Sequence, residues 1–380
     1  MKPIALSTIR KQNLAKVLDL LTLSPALTRQ ELANAANLSQ MTMTNLVDYL
    51  KEQDVLHITP LQRSAADRPA QGRKAEAISL CGDHKAWLLV DISSLQFSMT
   101  LTGFDLSILL ELHDDQRGEY LPRLENFLRE GILQVQQMLG TRELLGVAVI
   151  APGPYEINSD TIYNQRLPQL DNVKIKELFR RCMGDYEYYV DEDVKFAVRA
   201  FTDLIVLNQC EILYYLYIGE GVGGAAVHSG NMLRGQNATA GDAGHLLDRQ
   251  GNTYESRLST SVFANLLYLP ETPSPEALQQ LAQQYPARYD AALNHMAAVT
   301  AEMLHGVLWI LDPTHIIIDC VYARPREDVF VQALSHHLEK QFAGENRKLP
   351  QLSPGTSGVS SVLRGAVHVL QKAWLDRVLA

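Results

Sequence analysis

Two short segments of the chain concentrate side chains that bind polar ligands or transfer protons. The first, GDAGHLLDRQGNTYES at residues 241–256, carries Asp242, His245 and Glu255. The second is the acidic triplet Asp191-Glu192-Asp193. Carboxylates accept hydrogen bonds, and histidine both binds metals and exchanges protons near neutral pH. The two segments predict a metal site or a polar-ligand site, with a solvated polar loop as the alternative.

The elements that must position these segments alternate between strands and helices. Apolar runs predict strands at 87–93, 97–104, 144–154, 186–190 and 315–320, and helices near 173–181, 195–207, 286–311 and 326–342. This alternation indicates an α/β fold, and about 300 residues suit two lobes around a cleft. Ligands in such sheets bind beyond the carboxyl ends of strands, where Gly153, the acidic triplet and Gly221–Gly224 are predicted to lie.

The composition of the 380 residues, 46% hydrophobic and 20% charged, is typical of a globular protein of two or three domains. No apolar run has the length of a membrane span, and the charges in the N-terminal apolar stretch argue against a signal peptide. The four cysteines are far apart, which indicates thiols in a reducing cytoplasm. The net charge of −9 divides into +3 for residues 1–80 and −12 for the rest, so an anionic partner is expected for the head alone.

The first 80 residues predict three helices followed by a β-hairpin. Apolar spacing predicts a helix over 9–21, and the capping box formed by Thr28 and Glu31 begins a second helix. Asn37 turns the chain before Ser39 caps a third helix, whose inward face carries Met43, Leu46, Val47 and Leu50. Two short helices joined by a tight turn predict a helix-turn-helix, with strands at 55–59 and 75–80 as a wing.

In a helix-turn-helix, the N-terminal residues of the second helix reach base edges in the major groove. Gln and Asn pair with adenine, Met and Thr methyl groups contact thymine, and basic wing residues contact phosphates or the minor groove. The predicted DNA-binding residues are Arg29, Gln40, Met41, Thr42, Thr44, Asn45, Arg63, Arg68, Arg73 and Lys74. The alternative is a small helical bundle that contacts proteins.

Four motifs resemble those of one family: APGP at 151–154, YVDEDVKFAVRA at 189–200, IGEGVGGAAVHSGNMLRGQNATAGDAGH at 218–245 and ILDPTHIIID at 310–319. Over nearly its whole length the chain resembles transcriptional regulators of the ROK family (repressor, open reading frame, kinase), winged-helix proteins related to sugar kinases. The resemblance implies an actin-like, ribonuclease-H-like two-lobed sugar-kinase fold behind an N-terminal winged helix-turn-helix domain. The implied domains are residues 1–80, 81–195 and 196–380, with the C-terminal helices able to return to the first lobe.

The resemblance also implies where a ROK kinase would hold its catalytic base and ATP. The base is the Asp of an Asn-Asp pair, which corresponds to Asp193, whereas the Asn is replaced by Glu192. The phosphate loop Asp-x-Gly-Gly-Thr corresponds to Asp-Ile-Ser-Ser-Leu at 91–95, and the adenosine-side glycines are replaced at 319–321. Without these glycines the backbone cannot closely approach a phosphate. We therefore predict no enzyme activity, with Asp193 as a vestigial base.

In the family, the signature histidine is followed by a Cys-x-Cys-Gly-x-x-Gly-Cys element that completes a zinc site. No cysteine lies between His245 and Glu255, so we predict that the zinc is lost and that no cofactor is bound. The family's sugar-gripping acids correspond to Asp242 and Glu255. The predicted effector-binding residues are Gly153, Glu192, Asp193, Asp242, His245 and Glu255, with a solvated acidic turn and a loop-packing histidine as the alternatives.

These inferences predict a cytoplasmic transcriptional regulator, a repressor of sugar uptake or catabolism genes. It would bind a double-stranded DNA operator as a homodimer or a dimer of dimers, take a sugar or sugar derivative as effector, and not insert into a membrane. Two alternatives stay open. One is an ATP-dependent ROK sugar kinase, and the other is a regulator controlled by a protein partner from a sugar transporter.

Overall fold

The computed structural model describes residues 6–24, 26–60, 76–114, 116–164, 167–202, 211–355 and 360–380. The chain divides into two compact units, the first comprising Met1–Glu192 and Ala366–Ala380 and the second Asp193–Gly365. The division falls three residues before the boundary predicted from sequence, and the C-terminal segment belongs to the first unit. Among the described residues, no helix combines the length and the apolar character needed to cross a membrane.

The N-terminal part of the first unit consists of three helices and a two-stranded antiparallel sheet. The elements are α1 (Leu6–Leu23), α2 (Arg29–Ala36), α3 (Gln40–Glu52), β1 (Leu56–Pro60) and β2 (Glu76–Leu80). The predicted capping box of Thr28 and Glu31 is present, Asn37 adopts the left-handed conformation with φ 55°, and the Ser39 side chain caps α3. Apolar side chains buried to at least 96% form the core between the helices, namely Leu14, Val17, Leu18, Leu21, Leu32, Met43, Leu46, Val47 and Leu50.

A mixed five-stranded sheet forms the rest of the first unit. The elements are β3 (Lys85–Asp91), β4 (Ser98–Gly103), β5 (Ile108–His113), α4 (Tyr120–Leu139), β6 (Glu143–Ala151), β7 (Tyr155–Glu156), β8 (Thr161–Ile162), α5 (Ile175–Met183) and β9 (Tyr188–Glu192). The strand order is β5-β4-β3-β6-β9, with β3, β6 and β9 parallel. Because parallel strands end at the same edge, Asp91, Ala151 and Glu192 share one edge of this sheet.

The second unit contains a second five-stranded mixed sheet, in the order β12-β11-β10-β13-β14. Its elements are α6 (Asp193–Thr202), β10 (Ile212–Ile218), β11 (Val222–His228), β12 (Asn231–Leu233), α7 (Tyr254–Leu258), α8 (Thr260–Leu266), α9 (Pro275–Gln284), α10 (Pro286–Ile310), β13 (His315–Cys320), α11 (Glu327–Gln341) and β14 (Gln351–Pro354). Both sheet faces are covered: Tyr214 and Leu216 belong to one apolar cluster, and Tyr215 packs in another with α6 residues. The mixed α/β architecture agrees with the strand and helix alternation predicted from sequence.

The last helix, α12 (Ser361–Val378), contributes its residues from Ala366 onward to the first unit. Trp374 packs on Phe104 with ring centroids 5.3 Å apart, and Arg377 pairs with Glu187 at 3.1 Å. The same helix contacts the N-terminal helices, since His368 pairs with Asp19 on α1 at 2.9 Å and the Tyr49 hydroxyl on α3 donates to the Val378 carbonyl at 3.0 Å. One helix therefore joins the N-terminal helices to the first sheet.

Candidate functional sites

At the carboxyl edge of the first sheet, Glu192 braces the turn that follows β6. Ala151 is the register partner of Glu192, and the Tyr155 amide donates to Glu192 Oε1 at 2.9 Å. A Cβ atom added to Gly153 would lie 2.6 Å from Glu192 Oε2, so a larger residue there would displace the Glu192 carboxylate. The structure thus brings together Gly153 and Glu192, two of the predicted effector-binding residues. It also gives the Glu192 carboxylate a structural role, since it accepts the hydrogen bond from the Tyr155 amide.

The loop after β3 is closed by hydrogen bonds from Ser93 and from Tyr120 on α4. The Ser93 amide and hydroxyl both donate to Asp91 Oδ1, at 2.8 and 2.6 Å, and the Tyr120 hydroxyl donates to the Ile92 carbonyl at 2.9 Å. Burial raises the pKa of Tyr120, which keeps the phenol protonated as a donor. These serine and tyrosine contacts occupy the loop where the family resemblance places two glycines against a phosphate, so the residues present do not fit that role.

In the second unit, Asp242 and His245 form a hydrogen-bonded pair. His245 Nδ1 lies 2.8 Å from Asp242 Oδ2, and the imidazole side chain is 73% exposed. The segment is anchored below the pair, because the buried Tyr214 hydroxyl donates to the Gly241 carbonyl at 2.8 Å. A carboxylate at Nδ1 fixes the orientation of an imidazole and leaves Nε2 to meet a ligand. The pair can therefore donate and accept hydrogen bonds from a hydroxylated molecule.

Glu255 lies beside the same segment. Its amide donates to the Gly244 carbonyl at 2.9 Å, and its carboxylate Oε2 accepts from the Val222 amide at 3.4 Å. Gly244 itself is pressed against β11, since an added Cβ would lie 2.0 Å from the Val222 carbonyl oxygen. The fold thus brings Asp242, His245 and Glu255, three of the predicted effector-binding residues, to one region.

The glycine turn before β11 differs from its prediction. Only Gly221 lies in the turn, whereas Gly223 and Gly224 are inside β11 and pair with Tyr217 and Leu216 of β10. The prediction that all four positions 221–224 lie at a strand end was therefore wrong for these two. The physical reason is close packing: a Cβ on Gly224 would lie 2.2 Å from the Tyr214 hydroxyl and 2.3 Å from the Gly241 carbonyl. Such contacts between elements are not visible in a local sequence pattern.

Asp193, the predicted vestigial base, opens α6 and accepts from the Val194 amide at 2.7 Å. Sequence reasoning missed its neighbour Lys195, which is 1% exposed and donates to the Ala238 carbonyl. Lys195 therefore ties α6 to the loop that leads into Gly241. The sequence signal was the spacing of three between Lys195 and the apolar Val198, which places the two side chains on one side of the helix.

A second group that sequence reasoning missed surrounds Asp319 at the carboxyl end of β13. The Tyr215 hydroxyl donates to Asp319 Oδ2 at 2.9 Å, and Arg324 donates to Oδ1 at 3.1 Å. Burial, followed by the carboxylates of Asp193 and Asp319, raises the pKa of Tyr217 to about 12, so both acids act on this face of the sheet. The structure fills the adenosine-side position with a buried, paired carboxylate.

The residues that follow His245 do not fit the zinc site that the family resemblance implies. Asp248 is the one carboxylate between His245 and Glu255, and it accepts from the amides of Gln250 and Asn252 at 2.8 and 2.9 Å and pairs with Arg257 at 3.3 Å. Hydrogen bonds from Asn252 and Gln250, with the nearby Arg257, lower the pKa of Asp248. This carboxylate closes a short turn in place of a cluster of metal-binding thiolates.

The predicted base-reading residues lie in the first two turns of α3. Gln40, Met41 and Asn45 are exposed, Met41 at 78%, while Thr42 and Thr44 are half-buried. Arg29 forms ion pairs with Glu76 on β2 and with Asp48 on α3, so the structure gives it a role in positioning the hairpin. The remaining predicted contacts, Arg63, Arg68, Arg73 and Lys74, lie outside the described residues.

The two sheets, the turn after β6 and the Asp242–His245 segment define a protein built on the sugar-kinase-like α/β fold of one family. The chain belongs to the ROK family, whose model matches residues 89–373.

Solved structures and curated relatives agree with this assignment. A crystal structure of a ROK family transcriptional regulator, a homologue of the E. coli MLC protein, matches 98% of both chains with a TM-score of 0.65 and 16% identity. A ROK glucokinase from Streptomyces griseus, solved with glucose and AMPPNP, matches 75% of this chain and 98% of its own, with a TM-score of 0.60 and 16% identity. A β-glucoside kinase of Listeria monocytogenes is 25% identical over 52% of this chain and 70% of its own length.

Proposed function

We propose that the protein is a sequence-specific DNA-binding transcriptional regulator, a repressor of genes for sugar uptake or catabolism. The observation that carries the proposal is the face of α3, where Gln40, Met41 and Asn45 stand exposed at the start of a helix that is capped and buried on its other side. Two amides and an apolar methyl at this position can read adenine and thymine. A related regulator that matches 98% of the chain supports the same assignment.

In this proposal residues 1–80 are a winged helix-turn-helix domain, and the ROK part of the chain senses a sugar or sugar derivative. Asp242, His245 and Glu255 offer two carboxylates and an oriented imidazole, a set suited to hydroxyl groups. Asp193, Gly153 and Glu192 remain predicted members of the effector site. The regulator acts in the cytoplasm as a homodimer or a dimer of dimers, which matches a pseudo-palindromic operator, and it binds no zinc at the family's site after His245.

Asn45→Ala is expected to weaken binding to the operator by roughly 5- to 150-fold, the equivalent of about 1–3 kcal/mol for a lost bidentate base contact. The measurement is fluorescence anisotropy of the full chain on duplex from its own promoter region and on random duplex, at several salt concentrations. Gln283→Ala, an exposed glutamine on α9, is the matched control and should bind as the wild type does. A wild-type protein without a salt-sensitive preference for the promoter duplex would contradict the proposal.

A second candidate function is ATP-dependent phosphorylation of a sugar, which the β-glucoside kinase relatives and the retained Asp193 favour. Ser93, Ser94 and the paired Asp319 argue against it, because they replace glycines at positions where ROK kinases approach ATP. We expect no ADP release above background from Mg-ATP with a panel of β-glucosides and hexoses. Turnover that disappears in Asp193→Asn would instead establish the kinase.

A protein partner from a sugar transporter is the remaining proposed effector. The substituted Glu192 and the shortened loop after His245 motivate it, because both alter the sugar side of the site. A thermal-shift screen of sugars and sugar phosphates separates the two cases, since a ligand that binds only the folded state raises its apparent stability. No shift with any sugar, together with binding to a purified transporter domain, would favour the protein partner.

A further inference from the structure

Three potential metal ligands meet in the first unit, away from the residues considered so far. His57 lies on β1, and Cys81 and Asp83 follow the end of β2. His57 Nε2 is 3.2 Å from Asp83 Oδ2, and Cys81 Sγ is 3.9 Å from the same oxygen. All three ligand atoms lie within 4.8 Å of one another.

These separations match the edges of a tetrahedral zinc site. Zinc bonds of about 2.0–2.1 Å to nitrogen or oxygen and 2.3 Å to sulfur place neighbouring ligands about 3.3 Å apart for nitrogen and oxygen, and about 3.6 Å apart for sulfur and oxygen. The two edges that meet at Asp83 Oδ2, at 3.2 and 3.9 Å, require shifts of only a few tenths of an ångström, and the ligand atoms of His57 and Cys81 lie within 4.8 Å of each other. We propose that His57, Cys81 and Asp83 bind a divalent transition-metal ion, with zinc as the preferred ion because the ligand set combines sulfur and nitrogen.

The electrostatic surroundings of Cys81 favour a cation. The carboxylates of Asp83, Asp105 and Asp54 all act electrostatically on Cys81. The Arg142 Nε donates to the Gly82 carbonyl at 3.0 Å, which holds the backbone between Cys81 and Asp83.

Two of the proposed ligands are open to solvent, and the third is buried and held in place by its backbone. The side chains of His57 and Asp83 are 52% and 63% exposed, so an ion can enter from solvent, whereas Cys81 is 2% exposed. The Cys81 amide donates to the Val55 carbonyl at 2.9 Å, which fixes the thiol beside β1. A bound ion would cross-link β1 to the segment that leads into β3. If the N-terminal residues bind DNA as proposed above, that cross-link would stiffen the attachment of the DNA-binding head.

The test uses Co²⁺ as a spectroscopic probe on the reduced full-length protein. We expect a thiolate-to-cobalt charge-transfer band that saturates at one equivalent and that Zn²⁺ removes. Cys81→Ser should abolish the band. His57→Ala should weaken cobalt binding at least about tenfold, because loss of even an outer-shell partner of a metal ligand costs about 10- to 100-fold in affinity. Asp83→Asn, which keeps the side-chain volume, should also weaken it.

Two matched control variants remove a cysteine and a histidine that are not among the three proposed ligands. Cys182→Ser, a buried cysteine of α5, and His113→Ala, an exposed histidine of β5, should both bind cobalt as the wild type does. Circular dichroism establishes that each variant is folded. The absence of a band in the wild type, or a band that survives in folded Cys81→Ser, would overturn the proposal. Neither readout depends on DNA or sugar binding, so the metal site and the proposed function can fail separately.

Discussion

Gly244→Ala is expected to destabilise the second unit by about 3 kcal/mol, the upper part of the range for an overpacked site. The added Cβ would lie 2.0 Å from the Val222 carbonyl oxygen, and 2.9 Å from the carbonyl carbon, so the backbone itself must move. The movement displaces the segment that carries Asp242 and His245 from Glu255, whose amide donates to the Gly244 carbonyl. Urea unfolding followed by circular dichroism measures the loss of stability, and the sugar thermal-shift screen measures the loss of effector binding.

Gly306→Ala provides the control for this substitution. Gly306 lies within α10, and the nearest atom to an added Cβ is Leu246 Cδ1 at 3.9 Å, an ordinary van der Waals distance. Because alanine is favoured over glycine in a helix interior, Gly306→Ala should stabilise the protein by about 0.5–1 kcal/mol. Equal urea-unfolding midpoints for Gly244→Ala and the wild type would show that β11 is not closely packed against the segment that carries Asp242 and His245.

Asp319→Ala is the second substitution with a large expected effect, a loss of about 3 kcal/mol of stability. Asp319 is 5% exposed and accepts from both Tyr215 and Arg324, so its removal leaves a buried phenol and a guanidinium without this acceptor. Breaking a buried pair from one side is costly because the remaining partner stays desolvated. The expected loss of stability lies at the lower end of the range for broken buried ion pairs, because the Arg324 side chain is 42% exposed and is partly solvated by water.

Two further variants separate charge from hydrogen bonding at this position. Asp319→Asn keeps an acceptor for the Tyr215 hydroxyl and should lose less stability than Asp319→Ala. Asp312→Ala removes an aspartate that is 79% exposed and ion-paired with Arg347, and it should cost at most about 1 kcal/mol, as surface pairs do. If Asp319→Ala and Asp312→Ala gave the same unfolding midpoint, the buried pair would not contribute to stability.

Local chemistry made much of the fold predictable. The starts of α2 and α3 are predictable from Thr28, Glu31 and Ser39, because capping hydrogen bonds join residues that are three positions apart. The buried strand β13 follows from an uninterrupted apolar run. By the same logic the turn at 248–252 was predictable, since Asp248 bonds only to residues within a few positions of itself, apart from Arg257.

The unpredicted parts of the candidate sites depend on residues distant in sequence. Glu192 meets the turn at Tyr155 from 37 positions away, Lys195 meets Ala238 from 43, and Tyr215 meets Asp319 from 104. No periodicity encodes such pairs, because each depends on strand order and on how a helix lies over a sheet. The family resemblance supplied the positions of Asp193 and Asp242, but it could not supply the partners that substituted residues acquire.

The packing of α12 also sets an order for assembly during protein synthesis. The hydroxyl of Tyr49 cannot donate to the carbonyl of Val378 until that residue, 329 positions later in the chain, has been synthesised. At translation rates of 5–20 residues per second that interval is roughly 15–65 s. A nascent chain can therefore build its N-terminal helices long before Asp19 and Tyr49 meet their partners on α12. The N-terminal helices of an unfinished chain lack contacts that only the completed ROK fold supplies.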